Sequence, residues 1–283
     1  MDRNDLGWGE LESAVDAGRL ERAVGRGALS GARYALVDFE PEHPSTFYDE
    51  APYDYSVTVE WKPASLLDGA IARQPEGQRR LDIGCGGGRN IPCLLRGGAA
   101  LAVLDLSEVT LRLVAARHPV RAARGSLVRL PFVDESFDFV VCDGVAHLVP
   151  DAAVALAEAV RVMRPGALFY AALYRSGTVY EAIYKSIGAA LRGARKLEER
   201  GLPPVLDRAA FSAYRAASRL VKPDRTTDER ALRAIYEDYF LTPFASFCSR
   251  AWVEETFARL GAPVEQIEAS GNVWRILARK RPR

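Results

Sequence analysis

Leu81-Asp82-Ile83-Gly84-Cys85-Gly86-Gly87-Gly88-Arg89 is the stretch in which residue type and spacing best fit ligand chemistry. An apolar run ends in glycines, which tolerate positive φ and let a ligand approach the backbone with no Cβ in the way. Free amides at the start of a helix after such a turn suit a polar or anionic group. Asp105 ends the next apolar run, Leu101–Asp105. It stands about twenty residues on, the distance at which a carboxylate at a strand end accepts hydrogen bonds from ribose hydroxyls. Taken singly, the glycines suit a plain strand–helix turn, and Asp105-Leu106-Ser107 suits a helix cap. Together they predict a ribose-containing cofactor.

The spacing Gly84-x-Gly86-x-Gly88 departs from the dinucleotide fingerprint, whose last glycine would fall at Arg89. Asp82 lies just before the first glycine, where a pyrophosphate would be repelled. A cofactor carrying an amino group and a sulfonium tolerates a carboxylate there, which favours S-adenosylmethionine over a nicotinamide dinucleotide. His147 follows the apolar run Phe137–Asp143. A neutral imidazole there could take a proton from an attacking oxygen or nitrogen, or could serve packing at the strand–helix turn. Tyr48, Tyr53 and Tyr55 belong to an aromatic entry, FYDEAPYDYSVTVEW. An aromatic face beside a sulfonium methyl is electrostatically favourable; a packed aromatic stripe is the alternative. His147 and Tyr53 are the candidate catalytic residues. His43 and His118 each precede a proline in expected surface turns and are assigned no role.

Positioning these groups requires strands that alternate with helices. LDIG, LAVLD, FDFVVCD and ALFYAALY read as strands, with helices beginning near Arg89, Ser107 and Asp151. The pattern predicts an α/β, Rossmann-like, doubly wound and mostly parallel sheet covered on both faces. VEQIEA and VWRILAR read as a closing antiparallel pair, and Ser249–Leu260 as a helix capped by Ser249 and ended by Gly261. Residues 175–236 interrupt the rhythm with helices over about 179–191 and 208–221, too long for a connector, and are expected to act as a lid. Residues 1–45 form a distinct β-rich leader: alternation over 11–15 and 20–24 predicts a hairpin, with a short amphipathic helix as the competing reading, and Arg33–Phe39 a further strand. Residues 46–283 make up the cofactor-binding domain.

The motifs resemble those of class I S-adenosylmethionine-dependent methyltransferases, especially the broad small-molecule group. LDIGCGGGR is similar to their first motif, LAVLDLS to the acidic second, GSLVRLPFVDESFDFVVCDGVAHLVPD to the third and fourth, and AEAVRVMRPGALFYAAL to the segment ending in the fifth strand. The likeness is close over about 48–175 and resumes more weakly over 236–280. It implies that Gly84, Cys85, Gly86 and Gly88 line the methionine and ribose side and that Asp82 anchors the cofactor's polar end. Asp105 and Leu106 would then hold the ribose, Ser126 and Leu127 face the adenine, and Cys142 and Asp143 sit beside the transferred methyl. Many relatives carry Asp where Ser126 stands; Ser can still accept a hydrogen bond but lacks the charge. The leader resembles the zinc-ribbon module preceding some of these domains, yet contains no cysteine.

Composition narrows the partners. Lys plus Arg number 38 against 37 for Asp plus Glu, a balance that argues against a general nucleic-acid or anionic-membrane partner. The cysteines form no CxxC pair, so no metal site is expected. The N-terminus has no export signal and no segment approaches a membrane span, which implies a cytoplasmic protein. The expected reaction is in-line methyl transfer to an O, N or C nucleophile of a small, fairly apolar molecule, leaving S-adenosylhomocysteine. Three readings stay open beside it: an RNA methyltransferase using Arg192, Arg195, Lys196 and Arg200; a cofactor-binding cyclase or binding protein without methyl transfer; and a nicotinamide oxidoreductase. Sequence does not fix the oligomeric state.

Overall fold

Short apolar runs bounded by glycine turns become strands, and the amphipathic stretches between them become helices on both faces. The computed structural model describes residues 28–29, 32–36, 64–198, 200–201, 203–221 and 229–282. Its strands are β1 (Ala28–Leu29), β2 (Ala32–Leu36), β3 (Arg79–Ile83), β4 (Ala100–Asp105), β5 (Arg121–Arg124), β6 (Phe137–Asp143), β7 (Met163–Tyr174), β8 (Val264–Ser270) and β9 (Val273–Arg279). They form a sheet in the order β1-β2-β5-β4-β3-β6-β7-β9-β8. Neighbours from β2 to β7 run parallel, whereas β9 is antiparallel to both β7 and β8. This is the expected Rossmann-like, mostly parallel sheet with an antiparallel closing pair.

The helices are α1 (Ser65–Ile71), α2 (Ile91–Leu94), α3 (Glu108–Arg117), α4 (Ala152–Val162), α5 (Val179–Ile183), α6 (Ala189–Glu198), α7 (Val205–Val221), α8 (Glu229–Phe240) and α9 (Arg250–Arg259). Alternation along the strands divides the core. Leu81, Ile83, Val140, Cys142 and Phe169 pack with Leu156 of α4 and Val253 and Phe257 of α9. Val103, Phe139, Val141 and Tyr170 pack with Leu66 and Leu67 of α1, Ile91 of α2 and Leu111 and Val114 of α3. Caps fall where the sequence places them: Ser107, Asp151 and Ser249 each accept a backbone N–H of their helix's first turn.

Several elements differ from expectation. The helix after the glycine turn is only α2, because Gly97 and Gly98 adopt positive φ directly beyond it. A helix this short has little macrodipole to offer an anion. β5, RAAR, was not anticipated: its apolar core is only Ala122 and Ala123, too small to register as a strand, yet both are buried between neighbours. β7 begins at Met163, earlier than expected. The insertion carries a further helix, α8, also not anticipated. It shares a small core of its own with α6 and α7, built on Leu191, Tyr236, Leu241, Phe211 and Tyr214. The strand expected over 33–39 appears as β2, which pairs with β5 through Tyr34–Leu36. The hairpin over 11–24, His43, Tyr48, Tyr53 and Tyr55 lie outside the described residues. Among the described residues, no helix is long and apolar enough to cross a membrane.

Candidate active site

β3 is the central strand from which the chain first winds towards β4 and β5, then returns to add β6 and β7 on the other side. In open α/β sheets, ligands bind at the carboxyl ends of the strands beside that switch point. Asp82, the glycine turn, Asp105, Cys142 and Asp143 all belong to these strand ends.

The glycine turn is built by positive φ at Gly84 (68°), Gly86 (48°) and Gly88 (82°). The Gly84 N–H donates to the Leu104 carbonyl at 2.7 Å, and that of Gly88 to the Cys85 carbonyl at 3.0 Å. The Gly86 N–H donates to Asp105 Oδ2 at 3.0 Å, while Asp105 Oδ1 accepts from Ser107 N at 3.0 Å. Asp105 therefore organises the turn as well as ending β4. A carboxylate accepts about four hydrogen bonds, so these tethers are compatible with ribose hydroxyls as further donors.

Gly84 has no room for a side chain: a Cβ there would lie 2.6 Å from Val145 Cγ2. Gly84→Ala is expected to cost about 3 kcal/mol of stability, part from left-handed backbone and part from overpacking. A denaturant double-mutant cycle with Val145→Ala checks this. The second change should recover the overpacking share only; no recovery at all would remove the clash from the account.

Alternation along β3 turns Asp82 away from Leu81 and Ile83, towards the face covered by α1 to α3. It is 1% exposed, and its Oδ2 has no hydrogen-bond partner. Burial, reinforced by Asp143 and Asp105 and opposed by Arg89, pushes its carboxyl up to about 8. Arg89 crosses from the turn to the end of β6, where its Nη2 meets Asp143 Oδ2 at 2.7 Å. Asn90 Nδ2 donates to the same carboxylate oxygen at 3.0 Å. Arg89, which stands where a dinucleotide fingerprint would have its last glycine, thus braces the glycine turn against the end of β6.

Ser126 Oγ accepts from Val128 N at 3.3 Å, and Leu127 next to it and Leu106 just after β4 are both buried. Arg124 Nε donates to the Leu106 carbonyl at 2.8 Å, fixing the loop that follows β4. Cys85 and Cys142 are buried, and burial raises both thiols well above their usual range. They shape the walls and stay protonated.

His147 is fully buried. Its Nδ1 accepts the Tyr174 N–H at 3.3 Å, its ring lies 3.7 Å from that of Tyr174, and its carbonyl accepts the Ser246 N–H at 2.8 Å. Burial pulls its pKa down to about 3. These contacts tie the end of β6 to β7 and to the 242–249 connection. Tyr174 also packs against Tyr180 and Phe247, and Tyr180 against Tyr239, with ring centroids 4.9 to 5.6 Å apart. Arg192, one of the basic residues considered for RNA, donates to the Phe240 and Tyr184 carbonyls and lies 3.9 Å over the Tyr184 ring. It braces the insertion.

Residues 81–171 match the family described as a methyltransferase domain. The chain is 37% identical over 122 residues to phthiotriol/phenolphthiotriol dimycocerosates methyltransferase 1 of Mycobacterium ulcerans, covering 41% of this chain and 45% of that protein. It is 35% identical over 108 residues to the ubiquinone biosynthesis O-methyltransferase of Hahella chejuensis, covering 35% and 45%. The chain thus spans under half the length of these curated relatives. Among solved structures, a SAM-dependent methyltransferase from Methanosarcina mazei superposes with a TM-score of 0.50 at 18% identity, covering 78% of this chain and all of that one. The matched segment runs from the strand before the glycine turn into β7, the stretch that carries the site.

Proposed function

We propose that this chain binds S-adenosylmethionine and transfers its methyl group to an O, N or C nucleophile of a small, fairly apolar molecule. The observation that carries the reading is Asp82: a buried carboxyl with an unpartnered oxygen, beside Asp105 and Asp143, at the base of a glycine turn. Such a site suits a cationic cofactor and repels a pyrophosphate. Asp82 anchors the amino-acid end, Gly84, Cys85, Gly86 and Gly88 keep the floor open, Asp105 and Leu106 hold the ribose, and Ser126 and Leu127 face the adenine. When bound, S-adenosylmethionine supplies a methyl group already activated on a sulfonium. The chain's remaining tasks are alignment and exclusion of water.

Cys142 and Asp143 border the reacting end, with His147 fixing the strand ends from behind, and Tyr53 of the aromatic entry is a candidate contact to cofactor or substrate. Tyr174, Tyr180, Tyr239 and Phe247 give the substrate side its apolar character, and the names of both curated relatives lean the same way. Residues 175–236 act as the lid of a 46–283 catalytic domain. Residues 1–45 are a leader of zinc-ribbon ancestry without cysteine ligands, and its β2 extends the sheet of the catalytic domain beside β5. We place the protein in the cytoplasm, acting on a small molecule without nucleic acid.

The test is label transfer from methyl-labelled S-adenosylmethionine into a bacterial cell extract, with and without nuclease, followed by mass spectrometry. Label in a nuclease-resistant small molecule, absent with Asp105→Ala, is the expected result. Label only in nuclease-sensitive material would move the function to RNA. Cofactor binding without any transfer would leave a non-methylating role.

A further inference from the structure

We infer that the α5–α7 part of the insertion is a peripheral docking surface for an anionic lipid bilayer. Among the described residues, five of the eight exposed large apolar side chains fall between 179 and 206. They are Val179, Ile187, Leu197, Val205 and Leu206, from 46% exposed at Leu197 to 78% at Val179. Single exposed aliphatics are ordinary, but their concentration on one segment marks an interaction surface. The packing of the insertion explains why they stay outside. Leu191 of α6 and Phe211 and Tyr214 of α7 pack with Tyr236 and Leu241, which uses one face of each helix. Leu197 falls in the last turn of α6, and Val205 and Leu206 open α7. The connection between them is tight: the Arg200 N–H donates to the Leu197 carbonyl at 3.0 Å and the Val205 N–H to the Pro203 carbonyl at 2.8 Å. The three aliphatic side chains therefore belong to the two helix ends that this turn joins.

Charge is sorted in the same segment. Glu181 accepts from the Gly177 N–H and from Lys185, Asp207 accepts from Arg233 at 2.7 Å and from Tyr236 Oη at 3.0 Å, and Glu198 Oε1 is buried. Lys185, Lys196, Arg200 and Arg208 are exposed. Residues 179–221 carry eight basic against four acidic side chains, in a chain whose overall balance is 38 to 37. Whole-chain neutrality thus conceals a local excess of positive charge beside exposed aliphatics. A bilayer interface accepts both at once: aliphatic side chains enter the acyl boundary while anionic headgroups meet Lys and Arg. The backbone of RNA would meet the cations but leave the aliphatics in water, and its bases stack on aromatic rings. A second copy of the same surface would set like charges against one another. The surface lies on the insertion and not in the glycine turn, so it stands apart from the methyl-transfer reading; where that reading also holds, docking brings the lid to the phase in which an apolar substrate dissolves.

The test is co-sedimentation of the full chain with vesicles of phosphatidylcholine alone or mixed equally with phosphatidylglycerol, without cofactor. Wild type should bind the mixed vesicles at least about tenfold more tightly than phosphatidylcholine, since each Lys or Arg near an anionic surface contributes about fivefold. Lys196→Gln with Arg200→Gln should weaken binding to the mixed vesicles about 20-fold. Val205→Ser with Leu206→Ser should weaken it about tenfold or more, through loss of aliphatic insertion. All four side chains are exposed, so the melting temperatures of both double variants should equal that of wild type. Wild type that stays in solution with the mixed vesicles overturns the inference, as does either double variant that binds them as wild type does. A surface that instead dimerises in sedimentation velocity, or that binds RNA but no vesicles, has another occupant, and the inference fails. Because no cofactor is present, none of these outcomes touches the methyl-transfer reading, which the label-transfer experiment decides separately.

Discussion

Replacing Asp105 by alanine is expected to weaken S-adenosylmethionine binding at least about 100-fold, the loss associated with removing one or two hydrogen bonds to a charged group. The carboxylate has two duties. It accepts the Gly86 and Ser107 N–H groups, which holds the glycine turn and the entry to α3 in register, and it offers acceptor capacity towards ribose hydroxyls. Alanine removes both duties, leaving two half-buried amides without their acceptor. Asp105→Asn keeps one carbonyl oxygen and should lose only about tenfold. Calorimetric titration with S-adenosylhomocysteine measures both variants without needing a substrate. Affinity of the alanine variant within threefold of wild type would mean that ribose is held elsewhere, and the reading of β4 as the ribose strand would fail.

The parts of this architecture that were legible in the sequence are those dictated by local rules. Gly84, Gly86 and Gly88 announce positive φ, Ser107, Asp151 and Ser249 announce helix starts, and the Val264–Arg279 stretch shows its antiparallel alternation around Gly271. β5 was not legible, because a strand whose buried core is two alanines owes its existence to β4 and β2 on either side rather than to its own composition. α8 could have been found. Leu232, Tyr236 and Tyr239 recur at helical spacing, with Phe240 beside them. The Pro223-Asp224-Arg225-Thr226-Thr227 stretch before it breaks the helical pattern that ends near Val221, so the two helices do not read as one continuous signal. Arg89 was illegible for a different reason: its partner Asp143 lies across the sheet, and only the fold brings them to 2.7 Å. His147 shows the converse. A histidine after a strand suggests chemistry, but the tertiary structure assigns its ring nitrogen to a backbone amide and its face to Tyr174.

Asp82 is expected to be costly to the ligand-free fold and valuable to the bound one. With its pKa held near 8 by burial and by neighbouring carboxylates, the folded protein retains a proton that the unfolded chain releases near pH 4. Over that interval the native state binds more protons than the unfolded state, so this residue's contribution to stability falls as pH rises, until it levels off above about 8. Asp82→Asn removes the titration while keeping the shape. The variant should match wild type near pH 4 and become more stable as pH climbs, by about 2 kcal/mol at pH 7.5 after relaxation of the surroundings. Thermal melts of both proteins across this range read the difference directly. The same substitution should weaken S-adenosylmethionine and S-adenosylhomocysteine alike by about 30-fold, because both share the amino group that the carboxylate anchors. Wild-type binding at pH 7 should also release a proton, seen as a dependence of the binding enthalpy on buffer, as the cationic ligand draws the Asp82 pKa down. A loss confined to S-adenosylmethionine would place Asp82 against the sulfonium instead. A variant less stable than wild type at pH 7.5 would show that the buried oxygen has a partner which the amide cannot replace, and the electrostatic argument for a cationic cofactor would lose its main support.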